Sequence, residues 1–287
     1  MGQVPHAVAA CHLHDEGMGD TTETFTISPE AAEVYQARFV PAIFAERVPH
    51  LLDVAGVATG QAVLDVACGT GVAARGAAQR VGPGGTAAGV DLNEAMLTVA
   101  RRLSPDIEWR RGDVVALPYG DAAFDTVVCQ MAMMFFAEPV AALAEMARVT
   151  RPGGTVAVLV PAPLASSPGY SRFAEVVARH AGPDAVGLVG AYFALGDLDR
   201  LQAMFADAGL EVTGAETRGG HARFPTVDEF VATEVEGSPL IDRIDDATYA
   251  AIREGCRTAL APFVGEGGVA VPFDCHALAG RVEGVTA

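Results

Sequence analysis

Gly69-Thr70-Gly71-Val72-Ala73-Ala74 follows directly on the apolar run Ala62 to Val66. A strand that enters a glycine turn and then a helix lets a ligand approach the backbone at a positive helix N-terminus. The spacing is G-x-G-x-x-A, close to a dinucleotide fingerprint, and Asp91 lies 20 residues beyond Gly71, where an acid accepts from ribose hydroxyls. These two features fit NAD and other adenosine ligands equally. Asp65, inside the strand before the turn, would repel a pyrophosphate and attract an ammonium group. Asp113 ends a third strand-like run, and an acid with a neighbouring backbone N–H there can read the adenine edge.

Other chemistry-bearing residues are more scattered. "QMAMMFF" places Met134 and Phe135 just after a strand end, where thioethers and rings would make an adaptable apolar pocket or simply fill the core. Tyr35 and Phe39 on the early helices, and Tyr192 and Phe193 further on, are candidates for a substrate-facing lid. His180 and His221 are the candidate proton acceptors, whereas His276, inside an apolar run, reads as structural. "CHLHDEG" groups Cys11, His12, His14, Asp15 and Glu16, but no second ligand cluster follows, so no metal site is expected.

The elements that must position these residues follow from hydrophobic periodicity. Residues 1–24 lack it and read as a loose tail, leaving residues 25–287 as one domain. Ser28-Pro29-Glu30 starts a helical stretch to about residue 57, which Pro41 and Pro49 must kink or divide. From residue 61 to 160 strands and helices alternate: "AVLDVA", helix 70–81, "TAAGVD", helix 93–103, "IEWRRGD", "FDTVVCQ", helix 138–150 and "TVAVLV". Short apolar strands separated by helices imply a parallel sheet covered on both faces. Residues 161–287 add helices near 170–181 and 197–208, the strand "LEVTGAETR", and "VAVPFDCHALAGRV" as one final, irregular strand.

The composition excludes several roles. Nineteen basic against 36 acidic residues give a net charge of -17, which disfavours nucleic acid and anionic membrane as partners. Five dispersed cysteines without a CxxC pair fit reduced thiols, and no basic-then-apolar leader or membrane span is visible, so a cytoplasmic location is expected.

Asp65, the glycine turn, Asp91, "RGDVVALPYGDAAFD" and "LAEMARVTRPGGTVAVLV" occur in an order that resembles the class I S-adenosylmethionine-dependent methyltransferases, in particular the ubiquinone/menaquinone-biosynthesis-like (methyltransferase type 11) branch. The resemblance covers about residues 61–160. It implies an α/β, Rossmann-like, doubly wound, mostly parallel seven-stranded sheet with an antiparallel last strand, N-terminal helices and a helical insertion. It further implies S-adenosyl-L-methionine as cofactor and S-adenosyl-L-homocysteine as product. The methionine part would lie over Ala67, Gly69 and Gly71, with Asp65 near its ammonium group and Gln130 facing it. Asp91 would accept from the ribose, Leu92 and Met96 would cover the adenine, and Asp113 with the Val114 N–H would read its edge. The implied activity is methyl transfer to a small, apolar or aromatic metabolite, with a homodimer as the candidate assembly. The alternatives are a methyltransferase-like domain that binds cofactor without transferring methyl, and an NAD(P)-dependent oxidoreductase.

Overall fold

Ser28 caps the first helix, α1 (Pro29–Val34), its Oγ accepting from the Ala31 N–H at 3.1 Å. The computed structural model describes residues 28–238 and 240–283, so the sequence-derived tail and its "CHLHDEG" cluster lie outside the described residues. The helical path continues as a π-helix, Tyr35–Phe44, which contains Pro41, then a 3-10 turn, Ala45–Arg47, and α2 (Val48–Val54) with Pro49 in its first turn. Proline lacks the N–H that a regular turn needs: Pro49 falls in the first turn of α2, whereas Pro41 lies within the π-helix rather than at a break.

The alternating region forms β1 (Ala62–Val66), α3 (Val72–Val81), β2 (Thr86–Asp91), α4 (Glu94–Leu103), β3 (Glu108–Arg111), β4 (Phe124–Gln130), α5 (Pro139–Val149) and β5 (Thr150–Pro161). Beyond it come α6 (Pro168–Ala181), α7 (Val186–Gly190), α8 (Leu198–Asp207), β6 (Leu210–Arg218), β7 (His221–Phe224), α9 (Val227–Glu236), α10 (Asp246–Ala259), β8 (Val264–Gly265), β9 (Gly268–Pro272) and β10 (Cys275–Val282). Seven strands make one sheet in the order β3-β2-β1-β4-β5-β10-β6. β10 runs antiparallel to both β5 and β6, while β1 to β5 pair in parallel. The Rossmann-like sheet with an antiparallel last strand is therefore present.

Successive residues of the central strands feed opposite faces. Val63, Val128 and Ala157 join one core with α2, α3 and α6, whereas Leu64, Val127 and Val156 join another with α5 and α8. Burial on both sides is why these strands read as continuous apolar runs.

The C-terminal apolar segment departs from the expectation of one irregular strand. The chain breaks at Phe273 and Asp274: β9 pairs with β7 and β8 in a separate three-stranded sheet, and only β10 enters the main one. Pro272, with no N–H to donate, ends β9 where the chain changes sheets. His276 is structural as read, with Nε2 2.9 Å from the Gly196 carbonyl and Nδ1 2.8 Å from Thr217 Oγ1.

Candidate functional site

Parallel strands leave a crevice where neighbouring connections diverge to opposite faces, and here that point lies between β1 and β4. The backbone is unusual at both strand ends. Ala67 (φ 54°) and Met131 (φ 53°) hold left-handed conformations, which L residues adopt rarely, and Gly69 (φ 53°) does so at less cost. All three line a cavity of about 420 Å³ that opens over the strand ends.

Asp91 ends β2 at the cavity wall. Its Oδ2 accepts from the Gly69 N–H at 2.7 Å and its Oδ1 from the Asn93 N–H at 2.8 Å, so the carboxylate is clamped in place. A carboxylate has about four acceptor positions, so this arrangement leaves lone pairs for a ligand's hydroxyls. Burial pushes its pKa up, and the backbone N–H groups of Asn93 and Gly69 oppose that. Leu92 and Met96 flank it on the wall; Asn93 caps α4, accepting from the Ala95 and Met96 N–H groups. Asp113 and Val114 close this side, and Asp113 Oδ1 also accepts from the Val115 N–H at 3.1 Å in an Asx turn.

The opposite wall consists of helices and aromatic rings. Tyr35 lies over the glycine turn, its Oη 3.4 Å from where a Gly69 Cβ would stand. Its ring packs 5.7 Å from Phe39 and 5.4 Å from Phe44. Phe39 in turn rests on Gly237, where a Cβ would fall 2.1 Å from the Phe39 ring tip. Phe135 and Tyr192 meet edge to face at 5.5 Å. Behind them the buried Arg47 donates to the Ile43 and Phe273 carbonyls at 2.6 and 2.7 Å, with its guanidinium over the Phe273 ring.

Of the sequence-predicted residues, Tyr35, Phe39, Ala67, Gly69, Asp91, Leu92, Met96, Asp113, Val114, Phe135 and Tyr192 therefore meet around one cavity. Seven others do not. Asp65 is 2 % exposed and turned under α3, where its Oδ2 accepts from the Ala74 N–H at 2.9 Å; burial pushes its pKa up to about 7. Gly71 (φ 84°) is required by packing, because a Cβ there would stand 2.2 Å from the Trp109 ring. Gln130 Nε2 is spent on the Phe44 carbonyl at 2.8 Å, so this side chain ties β4 to the π-helix. Met134 packs against the two main cores, and Phe193 stands behind the wall against Tyr170 and Phe273. His180 is exposed near the end of α6. His221 opens β7, contributing its carbonyl to Arg47 rather than its ring to the wall. Neither histidine is placed to take a proton in the cavity.

Sequence reasoning missed Glu234 and Tyr170. Glu234 is 6 % exposed, lines the cavity, and its Oε1 accepts from Tyr170 Oη at 2.7 Å. Burial pushes its pKa up to about 7. The signal was available: Val227, Phe230, Val231 and Glu234 occupy one stripe at helical intervals, which places an acid on an apolar face. Among the described residues the cavity wall carries three acids, Asp91, Asp113 and Glu234, and no Arg, Lys or His.

This geometry agrees with the comparisons. A family model described as "Methyltransferase domain" matches residues 64–158. Those residues form a class I methyltransferase domain. They are similar to proteins of the ubiquinone/menaquinone-biosynthesis branch, as two relatives illustrate. The demethylmenaquinone methyltransferase of Renibacterium salmoninarum is 42% identical over 108 residues, covering 38% of this chain and 44% of that protein. The ubiquinone/menaquinone biosynthesis C-methyltransferase UbiE of Hahella chejuensis is 38% identical over 114 residues, covering 38% and 46%. The chain thus spans less than half the length of these relatives. Outside the methyltransferase domain the likeness is one of fold. A Haemonchus contortus phosphoethanolamine N-methyltransferase, solved with S-adenosylhomocysteine, superposes with a TM-score of 0.56 at 18% identity, covering 89% of this chain and 58% of that one. Glu234, Tyr170, Tyr192 and Phe273 all lie beyond the matched domain.

Proposed function

We propose that this chain transfers a methyl group from S-adenosylmethionine to a small apolar or aromatic metabolite. The observation that carries this reading is the charge of the cavity, whose wall has three carboxylates and no cation among the described residues. Such a wall suits a cationic sulfonium and opposes the pyrophosphate of NAD(P), which counts against an oxidoreductase. Asp91 would accept from the ribose, Leu92 and Met96 would cover the adenine, and Asp113 with Val114 would meet its edge. Ala67 and Gly69 would border the amino-acid portion. When bound, S-adenosylmethionine supplies an electrophilic methyl carbon on a positively charged sulfur.

The remaining work is alignment and exclusion of water. Tyr35, Phe39, Phe135, Tyr192 and Phe273 supply apolar rings facing the strand ends, which favour a flat apolar acceptor over an anionic one. The curated relatives are named for menaquinone and ubiquinone methylation, but each matches only 38% of this chain, so the acceptor class here rests on the cavity.

Parallel calorimetric titrations with S-adenosylmethionine, S-adenosylhomocysteine and NADPH test the reading. Micromolar binding of both sulfur nucleosides with no heat from NADPH is expected. Binding of NADPH alone would overturn it. Formation of S-adenosylhomocysteine in the presence of an acceptor separates transfer from mere binding.

A further inference from the structure

The acid in the helical wall has no part in holding the cofactor as described above. Glu234 sits among Tyr170, Phe39, Tyr192 and Phe273, opposite the strand ends, in a region where an unpaired charge is costly. Tyr170 Oη holds Oε1, and among the described residues Oε2 has no partner. α9 places Glu234 on the cavity wall, on the same stripe as Phe230, and Gly237 one turn on is covered by Phe39. The position of the carboxylate is therefore built rather than incidental.

We infer that Glu234 binds a hydroxyl group on an aromatic acceptor and takes its proton as the methyl group is transferred. The inference rests on the methyl-transfer reading above and names its acceptor class. The O–H bond breaks with its electron pair remaining on oxygen, and an oxygen pair forms the new O–CH₃ bond. The S–CH₃ bond breaks with its pair left on sulfur, and the proton goes to Glu234 Oε2. A sulfonium cation and a carboxylate anion are thus both neutralised in one step. An apolar cavity favours such a step, because opposite charges that are poorly solvated disappear as it proceeds.

Tyr170 from α6 donates to Glu234 and draws its pKa down against the effect of burial. Tyr192 lies on the same wall, and Arg47 acts on Tyr170 from the 3-10 turn before α2. The charges on neighbouring elements are paired elsewhere: Arg38 with Glu236, Arg253 and Arg257 with Asp228, and Arg223 with Glu46. From β7, His221 faces Arg47 through its carbonyl, and β9 carries no titratable side chain.

β-Naphthol, with β-methylnaphthalene as its hydroxyl-free control, is the probe for the full chain loaded with S-adenosylhomocysteine. In wild type, naphthol affinity should rise as pH increases through about 7, as Glu234 ionises and accepts from the hydroxyl. Glu234→Gln should weaken naphthol ~10-fold or more and flatten that profile, leaving methylnaphthalene within ~2-fold. Tyr170→Phe, which keeps the carboxylate, should retain naphthol binding and move the midpoint upward. With S-adenosylmethionine in place, wild type should form the naphthyl methyl ether and Glu234→Gln should lose ~10²–10⁴-fold in rate. Equal loss of both probes in Glu234→Gln, an unchanged naphthol profile, or no ether from wild type would overturn the inference. Failure of S-adenosylhomocysteine to bind would instead strike the methyl-transfer reading itself.

Discussion

The two walls of the cavity are built from different materials. The strand-end wall is largely backbone: Ala67, Gly69 and Met131 bend sharply, and two N–H groups hold the Asp91 carboxylate. The helical wall is almost entirely side chain, with rings from five segments of the chain around one buried acid. Backbone geometry changes little from one side chain to another, so the first wall suits a constant ligand. Side chains can be exchanged one at a time, so the second suits a ligand particular to this protein. The comparisons divide at the same place, since the matched domain ends at residue 158 and most of the rings of the second wall lie outside it.

The sharpest way to break this contrast is at Gly71, which shapes the strand-end wall without lining it. Gly71→Ala should destabilise the fold by about 2–5 kcal/mol, from the left-handed backbone and the displaced Trp109 ring. Urea denaturation followed by fluorescence of Trp109, the single tryptophan, measures this directly, and an unchanged midpoint would refute the packing argument. Next in size, Asp91→Asn should weaken S-adenosylhomocysteine ~10–100-fold, because an amide oxygen cannot replace both carboxylate acceptors. Apolar probes should bind this variant as before; parallel loss of both would show that the walls are not separable.

A smaller effect belongs to the helical wall. Phe135→Ala removes the edge-to-face contact with Tyr192, worth about 0.5–1.5 kcal/mol. Methylnaphthalene affinity should fall by a few-fold while S-adenosylhomocysteine binding stays constant, and calorimetry of both ligands checks the pair. An effect of a different kind is a pH slope. Asp65 titrates near 3.8 when unfolded but at about 7 when folded, since burial opposes its charge. Between those values the folded state holds a proton that the unfolded state has lost. Its contribution to stability is thus full below about 4, declines as pH rises through about 7, and is constant above. Melting temperatures across that window should fall for wild type and fall less for Asp65→Asn; equal slopes would mean that Asp65 is ionised in the fold.

The strand-end wall was legible because its parts are close in sequence. Asp91 ends β2, and Gly69 and Asp113 lie just beyond the ends of β1 and β3, which the parallel topology carries to one side. Even there, residue type was a poorer guide than position. Asp65 and Gly71 belong to the motif, yet Asp65 in β1 turns under α3, and Gly71 at the N-cap of α3 faces Trp109. His180 and His221 have the chemistry of a proton acceptor but not the position, and neither reaches the cavity. Glu234 was overlooked for the opposite reason: one acid among 36 attracts no notice until its helical face is considered.

The sequence by itself determined the alternation of strands and helices, the helix caps at Ser28 and Asn93, the start of a helix at Pro49, and the glycine turn. All of these are set by interactions within a few residues. Only the tertiary structure decided that Tyr170 would meet Glu234 64 residues away, that Arg47 would brace Phe273 226 residues away, and that the final apolar segment would divide between two sheets. Such contacts depend on how whole faces pack, and no local spacing encodes them.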